Sequence, residues 1–203
     1  MKKTLIAIVL LVAASTTLVT SCKKKSSDPD PVTPAVTTST ICDGNGSGTF
    51  YPLTLNNTWH YQGTGTNAFS NTVTGTQVYG SNTYFIVESN LGGTMYLRKA
   101  TSGDIMAYNT GTSTEQMLVP ASPTTGQSWT YTLDLAATRK VISTNASINT
   151  SSCHYTGCLK IQEFDSSGAG KAVMYYKKGV GMISTDEIWP GYLVTNLDAI
   201  TLH

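Results

Sequence analysis

The stretch Ser128-Trp129-Thr130-Tyr131-Thr132-Leu133-Asp134 alternates large apolar with short polar side chains over its whole length. A period of two belongs to a β-strand, whose successive side chains leave opposite faces. Trp129, Tyr131 and Leu133 are therefore predicted to enter a core while the threonines meet water. The same rhythm recurs along the chain. Residues 58–62 set Trp59 and Tyr61 against His60 and Gln62, and Met95 and Leu97 stand opposite Tyr96 and Arg98. Segments 72–79, 83–88, 104–109, 115–119, 138–148, 158–164, 171–178, 181–186 and 192–202 continue it. Turn-forming residues separate them: Gly80-Ser81-Asn82, Leu91-Gly92-Gly93, Thr101-Ser102-Gly103 and Gly179-Val180-Gly181, with Pro120 and Pro123 ending one strand. No window of a dozen residues sustains helical spacing. The expected fold is all-β, an antiparallel meander of about ten strands. Accumulated twist prevents so long a meander from lying flat, so it is expected to curl into a half-barrel or barrel.

The first part of the chain obeys a different rule. Lys2 and Lys3 precede ten apolar residues, Leu5 to Ala14. A membrane-spanning helix needs roughly 20 such residues, so residues 1–21 read as a cleaved secretion signal. Residues 22–41 read as a tether, because Pro29, Pro31 and Pro34 remove donors and restrict their predecessors. Residues 42–203 form the β domain, about 160 residues that can bury roughly 70% of the unfolded chain's surface. From Ile41 onward eight Lys or Arg face ten Asp or Glu. A nucleic-acid partner would call for a basic face, and this near-neutral domain offers none.

Val19-Thr20-Ser21-Cys22 resembles the bacterial lipobox. The resemblance implies that Cys22 becomes the acylated first residue of the mature chain and attaches it to a membrane through several lipid chains, since one chain alone holds weakly. Two further clusters point the same way. Phe50-Tyr51-Pro52-Leu53 followed by Asn57-Thr58-Trp59-His60-Tyr61 resembles the Y-x-P-L…G-N-x-W-x-Y opening of uncharacterised outer-membrane lipoproteins of Bacteroidota-type bacteria. Tyr175-Tyr176-Lys177-Lys178-Gly179-Val180-Gly181-Met182-Ile183 resembles their Y-Y-x-x-G-V-G close, and Gly126 to Tyr131 matches their G-x-x-W-x-Y. That resemblance implies a β-rich exported domain and no particular activity. It places the protein at the outer membrane, on the periplasmic or the cell-surface side. Lys23-Lys24-Lys25 directly after Cys22 departs from the acidic start of surface-displayed relatives. A looser likeness is to the curved half-barrels that carry lipids and lipoproteins across the periplasm.

Besides Cys22 the chain has Cys42, Cys153 and Cys158, an odd set for an oxidising compartment. The favoured pairing is Cys153 with Cys158, closing a short loop through His154 to Gly157. Cys42 with either is the alternative.

The remaining motifs argue against catalysis. His60, His154 and His203 lack the flanking context of a nucleophile's base, and there is no G-x-S-x-G elbow. Cys153, His154 and Cys158 lack a fourth zinc ligand. Asp43 to Gly48 starts like a calcium loop but has Thr54 where Glu should stand. The sequence thus calls for no metal and no cofactor. Glu163 with Asp165, or Asp186 with Glu187, offer carboxylates for glycan cleavage without a visible pairing. The aromatics Trp59, Tyr61, Trp129, Tyr131 and Trp189 are the candidate ligand face, the first four also in phase with a packed interior. The expectation is a non-enzymatic envelope lipoprotein that is structural, or that holds an apolar small molecule, a glycan or an envelope protein on a concave aromatic face. A glycan-directed hydrolase is the alternative.

Overall fold

A computed structural model describes residues 38–39, 48–64, 67–132, 137–188 and 193–203, all within one compact unit, Ala35–His203. Thirteen strands follow one another: β1 (Thr38–Ser39), β2 (Thr58–Thr64), β3 (Phe69–Tyr79), β4 (Asn82–Ser89), β5 (Thr94–Lys99), β6 (Ile105–Asn109), β7 (Thr114–Val119), β8 (Ser128–Tyr131), β9 (Ala137–Asn149), β10 (His154–Phe164), β11 (Gly170–Lys177), β12 (Gly181–Glu187) and β13 (Leu193–Thr201). All pair antiparallel, and the described residues contain no helix. The meander and its curl are as expected, with more strands than the ten read from the sequence.

The sheet runs β7-β6-β5-β4-β3-β2-β13-β12-β11-β10-β9-β8, with β1 on the free part of β13. In chain order this is a twelve-stranded up-and-down meander whose first and last strands pair, Trp59 opposite Ile200 and Tyr61 opposite Leu197. Closure is therefore nearly complete, and the gap falls in mid-chain between β7 and β8. Side chains bridge that gap in place of a ladder. Trp129 Nε1 donates to the Met117 carbonyl at 2.9 Å and Arg139 Nη1 to the Leu118 carbonyl at 3.4 Å. The Gln116 amide exchanges two hydrogen bonds with Thr132, accepting from its backbone N–H at 2.5 Å and donating to its Oγ1. Exposed strand edges invite foreign strands, and these side chains occupy the edge groups of β7 instead.

Eight strands enclose a bore that side chains just fill, so twelve demand bulk. The aromatics supply it. Trp59 and Tyr61 are completely buried, and Tyr51, Tyr176, Val73, Leu97, Val141, Ile161, Ile183 and Leu197 join them in one cluster. Trp59 Nε1 donates to the Val180 carbonyl at 2.6 Å and Tyr61 Oη to the Met182 carbonyl at 3.1 Å, so each ring satisfies its polar atom inside the core. Burial pushes the phenols of Tyr51, Tyr61 and Tyr176 up, which keeps them neutral as packing groups.

The two ends of the barrel differ. At the end carrying the β5–β6, β7–β8 and β11–β12 turns, the segment before β2 lies across the opening. Phe50 there shares a cavity wall with Lys99, Pro120 and Lys178, one from each of those turn regions. Asn57 pins the segment, donating to the Pro52 carbonyl at 2.7 Å and accepting from the His203 N–H at 2.8 Å. The opposite end has no such cover among the described residues and forms a mouth. On the outer wall Tyr79 stacks on Tyr108 at 4.4 Å and packs edge-on to Tyr96. Buried Tyr84 donates to Glu115, which Arg98 grips at 2.5 and 2.6 Å.

The favoured disulfide is corrected. Cys153 is disulfide-bonded, but Cys158 is not its partner: the Cys158 sulfur lies buried and 3.8 Å from the Thr156 carbonyl oxygen. The reason is that residues 154–157, read as a loop, belong to β10, which continues pairing with β9 past an irregularity between Tyr155 and Cys158. Five residues of strand separate two Cα atoms by roughly 16 Å, far beyond the ~7 Å a bridge spans. Cys42, the alternative partner, lies outside the described residues, as do Cys22, Leu133, Trp189 and Asp43 to Ser47 of the calcium-like loop.

Candidate functional site

Three cavities adjoin one another at the mouth. One, of about 310 Å³, is lined by Tyr131, Arg139, Glu163, Lys171, Thr185 and Glu187 among others. A second, of about 280 Å³, shares Tyr131 and adds Met95, Leu97 and Ala107. A third, also about 280 Å³, shares Thr185 and Glu187 and adds Phe69, Leu91 and Leu193. Strand parity explains the lining. Glu163 is the register partner of Arg139 on β9 and of Ala172 on β11, and Ala172 is that of Glu187 on β12. One level across four strands therefore delivers an arginine and two glutamates to the same concave surface.

The floor of the central cavity is a charged relay. Arg139 Nε donates to Glu163 Oε2 at 2.9 Å, and Lys171 Nζ lies 3.7 Å from Glu163 Oε1. Side-chain exposures of 8% for Arg139 and 15% for Glu163 put this pair in the buried regime, where geometry decides whether attraction offsets desolvation. The guanidinium carbon sits 3.4 Å from the Tyr131 ring centroid, so the ring face supplies part of what water would have given the cation. Among the described residues, two cations and two carboxylates leave the floor neutral. It offers donors and acceptors side by side, with apolar walls from Phe69, Leu91, Met95 and Leu97.

The candidate aromatic face divides. Tyr131 lines two of the cavities. Trp129 is half-buried at the β7–β8 gap with its indole N–H spent on Met117. Trp59 and Tyr61 are sealed in the core and line no cavity described here, and Trp189 lies outside the described residues. Arg139 and Lys171, which give the mouth its character, went unnoticed in the sequence. A signal was present: Arg139 lies in phase with Ala137 and Val141, both buried, and inward phase on a strand is abnormal for arginine.

No protein-family model, curated protein or solved structure matches this chain.

Proposed function

We propose that the protein is a lipid-anchored, non-catalytic binding protein of the outer membrane whose barrel mouth holds a small glycan. The observation that carries this reading is the row of three adjoining cavities, of about 280 to 310 Å³ each, joined through Tyr131, Thr185 and Glu187. Ligand sites are concave, with apolar walls and a few fixed polar groups. A sugar presents hydroxyls that donate and accept together with an apolar C–H face. A neutral floor of Arg139, Glu163, Lys171 and Glu187 beside Tyr131 and Phe69 answers both. A purely apolar ligand would leave the charged floor unserved.

The test is calorimetric titration of the full chain in a neutral detergent with a panel of oligosaccharides, repeated on Lys171→Gln and Glu187→Gln. Hydrogen bonds to charged groups contribute about 1.5–3 kcal/mol, so each variant is expected to bind about tenfold or more weakly while unfolding as the parent does. Binding of an apolar probe alone, unchanged in both variants, would overturn the glycan reading. The hydrolase alternative keeps one supporting observation, that Glu163 and Glu187 line the same cavity with one strand between them. Against it, Glu163 is held by Arg139 and Lys171. Release of reducing ends from a bound oligosaccharide would establish it.

Anchoring is expected to depend on the Cys22 sulfur. Cys22→Ser should leave an uncut precursor or release the chain from the membrane fraction. A variant that matures and fractionates as the parent does would refute the lipobox reading.

A further inference from the structure

The covered end of the barrel, opposite the mouth, contains a cavity of about 430 Å³ whose lining includes Lys177, Lys178, Ser122, Thr124, Thr144 and the Phe50 ring, with no carboxylate on its wall among the described residues. Lys177 is more than nine-tenths buried, and its Nζ donates to the Thr156 carbonyl. Lys178 Nζ lies 5.3 Å from the Phe50 ring centroid. Among the described residues neither lysine, nor Lys99 in the adjoining cavity that shares Phe50 and Lys178, forms an ion pair. A buried ammonium without a countercharge is costly; Lys177 is one, and the half-buried Lys178 faces the same space.

We infer that this cavity binds a phosphomonoester. Two ammonium groups match the double charge of a phosphomonoester, and the three hydroxyls can donate to its oxygens. A carboxylate has fewer acceptor oxygens and would leave donors unused. The volume leaves room for the esterified body against Phe50. β1 pairs with Ile200 and Thr201 at this same end. On the lipoprotein reading, a lipid headgroup and a soluble ester are both within reach.

The experiment is protection of lysines from an amine-reactive label, read by mass spectrometry on the full chain in neutral detergent. One arm adds glycerol 3-phosphate; the other dopes the micelles with phosphatidic acid, a lipid phosphomonoester, with phosphatidylcholine, a zwitterionic phosphodiester, as control. Lys178 is expected to be protected saturably, with Lys140 and Lys160 as internal references. Lys178→Gln, read at Lys177, and Thr144→Val, read at Lys178, should each raise the half-protecting concentration at least tenfold. Protection in the first arm identifies a soluble ester, protection in the second alone a headgroup, and either supports the site. No protection in either arm, equal protection by phosphatidylcholine, or protection unchanged in both variants overturns it.

Discussion

Trp59→Ala should lower the free energy of unfolding by about 3–5 kcal/mol, the range for deleting a large aromatic from a packed core. Trp59 is 0% exposed, and its indole N–H ends on the Val180 carbonyl at 2.6 Å. Truncation therefore opens a cavity between β2 and the β11–β12 turn and strands a buried carbonyl. Trp59→Phe keeps one six-membered ring and so most of the buried apolar surface, and its loss is dominated by the orphaned carbonyl, about 1–3 kcal/mol. The same junction can be overfilled from the other side. A Cβ on residue 181 would stand 2.6 Å from Trp59 Nε1, and Gly181 has a φ of +117° that side chains rarely adopt, so Gly181→Ala should also destabilise. Urea unfolding followed by far-ultraviolet circular dichroism measures all three, the midpoint falling at constant slope. With a typical total of about 5–15 kcal/mol, Trp59→Ala removes a large share of stability. A loss under about 1 kcal/mol would mean that the tryptophan is not part of the closed core and that the barrel is looser here than drawn.

The architecture was legible because its cause is local. Period-two alternation and Gly-rich turns state the face of each strand, and a meander needs little more than that order. What stayed hidden depends on register. Cys153 and Cys158 looked like the ends of a loop because His154-Tyr155-Thr156-Gly157 has no alternation. The ladder continues through them all the same, with Gly157 in a left-handed conformation beside the irregularity. The mouth was hidden for a related reason. Arg139, Glu163 and Glu187 meet only because β9, β10, β11 and β12 align at one level. Each taken alone reads as an ordinary surface charge. The aromatics misled in the opposite direction: Trp59 and Tyr61 look like a stacking platform by residue type, yet a twelve-stranded bore uses them as filling, and of the candidate aromatics among the described residues Tyr131 is the one that lines the mouth cavities.

Arg139→Met tests whether the mouth is a built site, and its effect should be as large as that of the tryptophan. The guanidinium serves three groups at once: Glu163 at 2.9 Å, the Leu118 carbonyl at 3.4 Å and the Tyr131 ring. Removing it leaves Glu163 charged and largely buried with Lys171 at 3.7 Å as its remaining cation. Breaking a buried pair from one side costs about 3–5 kcal/mol, whereas replacing both partners with groups of similar volume is often near neutral. Arg139→Met should therefore be severe, and Arg139→Met combined with Glu163→Leu should recover most of the loss. Met keeps the bulk against Tyr131, so the difference between single and double variants isolates the stranded carboxylate from packing. The β7 edge loses a donor in both variants, since nothing replaces the bond to Leu118, and the double variant should stay slightly below the parent. A thermodynamic cycle over the four proteins gives the coupling directly. If Arg139→Met costs as much with Leu at position 163 as with Glu, the two side chains do not interact in solution. The neutral charged floor, and the glycan reading that rests on it, would then fall together.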